Sequence, residues 1–240
     1  MHHACHLLPI LAALSLAAPA AAQGAHATKL TLDLGYVNVS GNTNVTTFNL
    51  GEKLTHTVGL WTLTQSAAAL YGETDGSPTA EAYDAGVRGD RKLGKRLSAF
   101  ALGTWSRNTF AGLARRFSEG AGLALRVIQA RRDSLTMEGA LSLNQERSVV
   151  GVSNSFAATR AAAAYKHLFG KAAVFTQNLE LLSNLENSDD QRVNSETALA
   201  APISKQVALK VSYVLRYDHL PEPGFQDTDR IFTTGVQIAF

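Results

Sequence analysis

The sequence predicts an all-β fold, a transmembrane antiparallel β-barrel of twelve strands of the outer-membrane type. Three observations predict it: an apolar leader at the amino terminus, a hairpin unit that recurs roughly every 35 to 38 residues, and a final segment with apolar residues or Thr at every second position. With 45% hydrophobic and 18% charged residues, the chain has the composition of an ordered protein. The formal net charge of +2 gives no reason to expect a nucleic-acid partner.

Residues 1–22 are predicted to be a cleaved signal peptide. The apolar run LLPILAALSLAAPAAA ends in the small residues Ala20 and Ala22, as a cleavage site requires. It is too short for a spanning helix, which needs about 20 apolar residues. Cys5 is the single cysteine and precedes the run, so the mature chain is predicted to have no disulfide and no thiolate metal site. Residues 23–28 then form a short segment, and 29–240 form the barrel domain.

Turns and strands follow from the spacing of the breaks. Short turn-like breaks fall near Gly59, Gly94, Arg132, Gly170 and Lys205. Longer polar or Gly-rich segments alternate with them at 41–44, 72–80, 110–117, 148–156, 186–190 and 220–228. The strands between these breaks are expected at 29–40, 45–56, 61–72, 81–92, 97–109, 118–129, 134–147, 157–168, 173–185, 191–203, 208–219 and 229–240. An even count puts both termini on the periplasmic side, with short turns there and longer loops outside.

Alternation of apolar and polar residues assigns the two faces of most strands. In strand seven, Leu141 and Leu143 share one parity while Glu138 and Glu146 share the other. Strands four, ten and eleven show the same pattern. Strand two is less regular, because Glu52 shares the parity of its apolar residues. Glu52 is therefore expected near an interface or against a partner. Strand five carries apolar residues on both parities, which a bulge, a misplaced boundary or a subunit contact would each explain.

Aromatic residues near the strand ends predict two girdles at the membrane interfaces. Trp61 and Tyr71 share a parity ten residues apart, which corresponds to roughly 25 Å along the barrel axis. The predicted interface aromatics are Trp61, Tyr71, Trp105, Tyr165, Tyr217 and Phe240. The terminal strand, which ends on Phe240, is expected to pair with the first strand and to be recognised by the outer-membrane assembly machinery. The other expected partner is outer-membrane lipid.

Several segments resemble those of one known family. They are GNTN at Gly41, LYGETDG at Leu70, AYD at Ala82, RFSEGAGLALR at Arg116, SDD at Ser188, NSETAL at Asn194, LKVSYVLRYD at Leu209 and PEPGFQDTD at Pro221. In these stretches the chain resembles the YdiY-like salt-induced outer-membrane proteins, classed as a domain of unknown function. The resemblance implies an outer-membrane barrel, linked to salt or osmotic stress, and it implies no catalytic residues.

The polar parity predicts a lumen lined by charges of both signs. Seven acids face eight bases: Asp84, Asp90, Glu138, Glu146, Glu180, Glu196 and Asp218 against Arg88, Lys92, Arg126, Arg160, Lys166, Arg192, Lys210 and Arg216. This near balance argues against a strongly ion-selective channel. We therefore predict a passive role, either as a structural protein or as a narrow channel for small solutes or ions. Ion preference and oligomeric state are left open.

An enzyme is the alternative that the sequence leaves open. His219 and Ser195 have outward parity on neighbouring strands, the placement expected of a lipid hydrolase of the outer membrane. Their predicted offset of some two to four residues exceeds hydrogen-bond reach, so no catalytic residue is assigned. Acids cluster on three loops, Glu73 with Asp75, Glu186 with Asp189 and Asp190, and Asp227 with Asp229, without the spacing of a calcium loop. We expect no cofactor or metal.

Overall fold

A computed structural model of the chain describes residues 26–39 and 45–240. The predicted signal peptide and the GNTN segment lie outside these residues. The described strands are β1 His26–Val39, β2 Val45–Val58, β3 Trp61–Thr74, β4 Ser77–Lys92, β5 Leu97–Asn108, β6 Leu113–Gln129, β7 Asp133–Ser148, β8 Ser153–Phe169, β9 Ala173–Asn184, β10 Gln191–Pro202, β11 Val207–Asp218 and β12 Thr228–Ala239. No helix in this part of the chain is long and apolar enough to cross a membrane.

The twelve strands form one closed antiparallel barrel, as the sequence predicts. Each strand pairs with its neighbours in chain order, and β12 pairs with β1 to close the wall. One rim, which we call the turn end, carries the connections 59–60, 93–96, 130–132, 170–172 and 203–206. The opposite rim, the loop end, carries the described connections 75–76, 109–112, 149–152, 185–190 and 219–227.

The surface of the barrel is inverted relative to a water-soluble protein. Leu141 and Leu143 on β7 point outward and are 64% and 63% exposed. Asn144, which directly follows Leu143, points inward and is 1% exposed. Large apolar side chains are normally removed from water, so an apolar exterior around a polar interior indicates a wall that faces lipid. The alternation in the sequence therefore arises from lipid on one face and the lumen on the other.

β2 has an unbroken register in the structure, and the register of β5 shifts only against β6, between Ser106 and Asn108. β2 pairs with β1 and β3 along its whole length, so Glu52 does face outward with Leu50 and Leu54. In β5, Phe100 points inward and is buried beneath the guanidinium of Arg88, whose Cζ lies 3.9 Å from the ring centroid. Phe100 and Leu102, the apolar residues of strand five at inward-facing positions, thus lie inside the lumen. The register shift of β5 lies beyond them.

Three of the longer connections predicted from the sequence are wrong. β4, β6 and β8 begin at Ser77, Leu113 and Ser153, four or five residues earlier than expected, so the segments predicted as loops are largely strand. Asp75 and Gly76 form the whole β3–β4 connection, with φ of 49° and 76°. Positive φ at both central positions is the geometry of a type I′ hairpin turn, for which Asp-Gly is a favoured pair. The polar residues around them extend the hairpin beyond the apolar band.

The ladder that closes the barrel is short. β1 pairs with β12 from Thr31 to Leu34, opposite Val236 to Ala239. Leu30 and Phe240 then exchange two backbone hydrogen bonds of 2.9 and 3.2 Å. In contrast, β1 pairs with β2 from His26 to Val39. The wall is therefore joined at the turn-end half of this seam, and residues 228–235 of β12 have no described register partner on β1.

Candidate functional site

The interior of the barrel holds the candidate site, a cavity of about 870 Å³. Fifteen charged side chains line it, eight acidic and seven basic: Asp33, Asp84, Glu138, Glu180, Glu196, Asp218, Asp227 and Asp229 with Lys53, Arg88, Arg116, Arg160, Arg192, Lys210 and Arg216. Opposite charges at this density in a narrow space form ion pairs. The lining is therefore nearly balanced in charge.

The first group of pairs, which we call the middle cluster, joins β4, β7, β8 and β9. Glu138 accepts hydrogen bonds from Arg88 at 2.8 Å and from Arg160 at 2.9 Å. Arg88 also forms two hydrogen bonds with Asp90, and the Arg160 Nε donates to Glu180 at 2.6 Å. Each guanidinium thus lies between two carboxylates. Such an arrangement fixes its orientation more firmly than a single pair does.

A second group, the upper cluster, lies nearer the loop end. Glu146 on β7 accepts a 2.7 Å hydrogen bond from Arg116 Nε and forms an ion pair with Arg192 on β10. Arg192 also meets Asp190 at 3.0 Å and Asp218 at 3.2 Å. Only 11% of the Arg192 side chain and 13% of the Glu146 side chain are exposed, so water screens these charges weakly. The upper cluster links four strands through one arginine and one glutamate.

Two polar contacts cross the lumen between nearly opposite walls. Arg216 on β11 donates to Asp84 on β4 at 2.9 Å, and Asn108 on β5 donates to Asp229 on β12 at 3.3 Å. Each contact joins strands that are five steps apart around the twelve-strand barrel. These crossing contacts divide the cross-section of the cavity.

Four further charged residues of the predicted lumen set lie in two different places. Lys210 lies in the cavity with Asp33 at 2.6 Å and Glu196 at 3.8 Å. Arg126 is not part of the large cavity: it lies with Lys92 around a separate small pocket at the turn end. The structure adds Asp33, Lys53, Arg116, Asp190, Asp227 and Asp229 to the interior charges. The parity of strands one, two and six could have identified Asp33, Lys53 and Arg116.

The last connection, residues 219–227, covers part of the mouth at the loop end. It packs on Gly112, which follows the 3₁₀ turn Thr109–Ala111 and has φ of 78°. A Cβ on Gly112 would lie 2.9 Å from both Glu222 Cβ and Phe225 Cδ2. The loop therefore rests on a position where only glycine leaves room for it.

Gly112→Ala is expected to displace residues 219–227 and to speed their cleavage by an added protease about tenfold, because the new methyl group occupies the space of Glu222 and Phe225. The rate of cleavage of the folded barrel in detergent measures this effect. Gly151→Ala is the matched control, since Gly151 also has positive φ, 92°, but a Cβ there meets nothing within 4 Å. Equal cleavage rates for the two variants would contradict the packing.

The predicted interface aromatics fall at two levels of the wall. Trp61 begins β3 at the turn end, Tyr165 lies near the end of β8, and Phe240 follows β12. Tyr71, Trp105 and Tyr217 lie towards the loop end of their strands. Several have polar partners at the same level: the hydroxyl of Tyr165 donates to Asp133 at 2.7 Å, and that of Tyr71 donates to Glu73 at 3.1 Å. Aromatic rings whose polar group forms a hydrogen bond are typical of a membrane interface.

Ser195 and His219 do not come together. His219 donates its backbone N–H to Gln191, four residues along β10 from Ser195. At about 3.3 Å per residue, this separates them by roughly 13 Å along the strand. Ser195 Oγ accepts a 2.9 Å hydrogen bond from Gln177, and His219 Nδ1 is 2.7 Å from the hydroxyl of Tyr217. The nucleophile and base of the predicted alternative thus have other partners.

A family model described as "Protein of unknown function, DUF481" matches residues 32–240. The chain belongs to the DUF481 family. The chain is also 26% identical over 209 residues to "Uncharacterized protein YdiY" of Escherichia coli (strain K12), covering 85% of this chain and 80% of that protein. The family resemblance expected from the sequence motifs is therefore confirmed.

Among solved structures, the DUF481 barrel resembles a rhombohedral crystal form of the NanC porin. The two share 9% sequence identity with a TM-score of 0.55, over 88% of this chain and 99% of that chain. At this identity the likeness concerns the fold alone. It confirms the expected twelve-strand architecture of the outer-membrane type.

Proposed function

We propose that this DUF481 protein is an outer-membrane barrel that acts as a narrow passive channel for water, small ions and small polar solutes. The cavity of about 870 Å³ inside the barrel is the observation that carries the proposal. A barrel that served only as a scaffold could fill its interior completely with side chains, as eight-stranded barrels do. This interior instead keeps an open volume, and its lining carries charged groups that water can hydrate.

Weak ion selectivity is part of the proposal. Eight acids and seven bases line the cavity, and most are held in pairs between neighbouring or facing strands. A selective channel presents a ring of one sign to the passing ion. The paired lining supports passage of either sign at a low rate, limited by the crossing contacts of Arg216 and Asn108.

The salt or osmotic link implied by the family resemblance is compatible with this interior. Arg216 and Asp84 are about one third exposed, so dissolved ions can screen their attraction. We infer that added salt weakens this contact and widens the passage. We also propose that β12, together with the exposed Phe240 that follows it, serves as the signal for the outer-membrane assembly machinery.

Single-channel recording of the refolded barrel in a planar lipid bilayer tests the proposed function. We expect small, stepwise conductance with a permeability ratio for cations and anions within about threefold of unity, because the lining is nearly balanced. A complete absence of steps from correctly folded protein would reject the channel and leave a structural role. Release of fatty acids from lipid, lost in His219→Ala, would instead favour the hydrolase.

A further inference from the structure

The two rims of the barrel carry opposite charge. The described connections of the turn end contain six basic residues and no acid: Lys95, Arg96, Arg131, Arg132, Lys171 and Lys205. The described connections of the loop end contain six acids and neither Lys nor Arg: Asp75, Glu186, Asp189, Asp190, Glu222 and Asp227. A positive field of this kind raises the local concentration of anions at the turn end.

One place on the turn end is shaped as a pocket. Lys92 on β4 pairs with Ser98 on β5, which pairs with Ala124 on β6, so the three form one inward-facing row. Arg126 follows on the same face of β6, and its backbone N–H donates to the carbonyl of Arg96 in the β4–β5 turn at 2.8 Å. The row and the turn enclose about 50 Å³, lined by Lys92, Gly94, Lys95, Arg96, Ser98, Ala124 and Arg126. We call this the rim pocket.

The cations of the rim pocket differ from the arginines of the middle and upper clusters. Every arginine in the middle and upper clusters contacts a carboxylate. Among the described residues, Lys92, Lys95, Arg96 and Arg126 make no ion pair and no side-chain hydrogen bond, and the pocket lining contains no acid. Four like charges around one cavity repel each other. An anion in the pocket would reduce that repulsion, which makes the pocket a candidate binding site.

We propose that the rim pocket binds a phosphate-type group, a tetrahedral oxyanion with one or two negative charges. Four cations and the Ser98 hydroxyl supply more donors than a carboxylate can accept, and they approach from several directions, as the oxygens of a phosphate do. The volume is roughly that of two water molecules, which take about 30 Å³ each in the liquid, so a phosphate group can occupy the pocket while the rest of a larger molecule extends out of it. The site does not depend on conduction through the lumen.

The phosphate group can reach the pocket from two sources, a free phosphate in the periplasm or the headgroup of an anionic phospholipid in the inner leaflet. Inward parity of Lys92, Ser98 and Arg126 opens the pocket towards the mouth of the lumen. Lys95 and Arg96 on the β4–β5 turn are exposed at the rim, so a lipid headgroup can also approach them from outside the lumen. Both sources present the same chemistry to the four cations, and separate binding measurements tell them apart.

The test uses the full barrel refolded in an uncharged detergent. Calorimetric titration with inorganic phosphate, against acetate as the comparison anion, measures the free-solute source. Native mass spectrometry of bound phosphatidylglycerol, against phosphatidylcholine, measures the lipid source. K95Q/R96Q is expected to weaken binding about tenfold or more, because two charge-assisted contacts are lost. S98A, which changes no charge, is expected to weaken it about threefold.

K171Q/K205Q is the matched control, since it removes two charges from other turns of the same rim. Its affinity is expected to stay within about twofold of the unmodified protein, because exposed charges at a distance are screened. If phosphate binding is weakened in K95Q/R96Q and S98A but not in K171Q/K205Q, the ligand is a free anion. If phosphatidylglycerol retention changes in the same way, the ligand is a lipid headgroup. Binding of neither probe, or equal losses in K95Q/R96Q and K171Q/K205Q, would overturn it.

Discussion

Glu146→Gln is expected to lower the free energy of unfolding of the barrel by about 3 kcal/mol, since removing one partner of a buried ion pair leaves its counter-charge uncompensated. Glu146 is shared by Arg116 and Arg192, and neither guanidinium is freely exposed. Arg192 keeps Asp190 and Asp218, whereas Arg116 loses the one carboxylate described beside it. Urea titration of the barrel in lipid vesicles, followed by tryptophan fluorescence, measures the change.

Asp189→Asn is the control for this prediction. Asp189 lies on an exposed connection of the same rim and no ion pair is described for it, so its replacement is expected to change stability by less than about 0.5 kcal/mol. A double-mutant cycle with Arg116→Gln then isolates the pair. The loss of unfolding free energy in the double variant should be smaller than the sum of the losses in the two single variants, because Arg116→Gln removes the charge that Glu146→Gln leaves without a partner. Strict additivity would show that the upper cluster is not coupled.

Replacing Arg216 and Asp84 together by serine is expected to raise the single-channel conductance about twofold or more, because the contact that divides the lumen is removed. The double change keeps the net charge constant. It therefore reports on the width of the passage and not on its charge. Single-channel recording of the unmodified barrel provides the reference conductance for this comparison.

Two controls separate width from a general loosening of the interior. The exchanged pair R216D/D84R restores an ion pair across the lumen and should return the conductance towards that of the unmodified barrel. K210S/D33S removes a 2.6 Å ion pair of the same kind that joins β11 to β1 across only one strand, and it should change the conductance less. If K210S/D33S raises the conductance as much as R216S/D84S, the crossing pair is not the constriction.

The sequence predicted faces well because alternation is a local property. Each strand has to place apolar residues towards lipid and polar residues towards water, and this requirement is visible within about ten residues. The inward positions of Glu138, Arg160 and Lys210 follow from it. Strand ends were predicted less well. The segments that begin at Ser77, Leu113 and Ser153 extend beyond the apolar band, so lipid contact imposes no alternation of apolar and polar residues on them.

The partners inside the lumen could not be predicted from the sequence. Arg216 and Asp84 are 132 residues apart, and they meet only because the closed barrel brings β4 and β11 to facing walls. Parity placed Arg126 inside, but it gives no height along the axis, so the division between the large cavity and the rim pocket was not visible. Pairing across a barrel depends on stagger and tilt, which a single strand does not encode.

The short ladder between β1 and β12 determines where the cylinder comes apart most easily. Backbone hydrogen bonds resist strand separation in a lipid environment, where a released group finds no water, and this junction has the shortest run of them. Lys210 with Asp33 and Arg216 with Asp84 both bridge from one side of the junction to the other. Side chains in the interior thus reinforce the joint that the backbone leaves weakest, and they can do so only after the first and last strands have met.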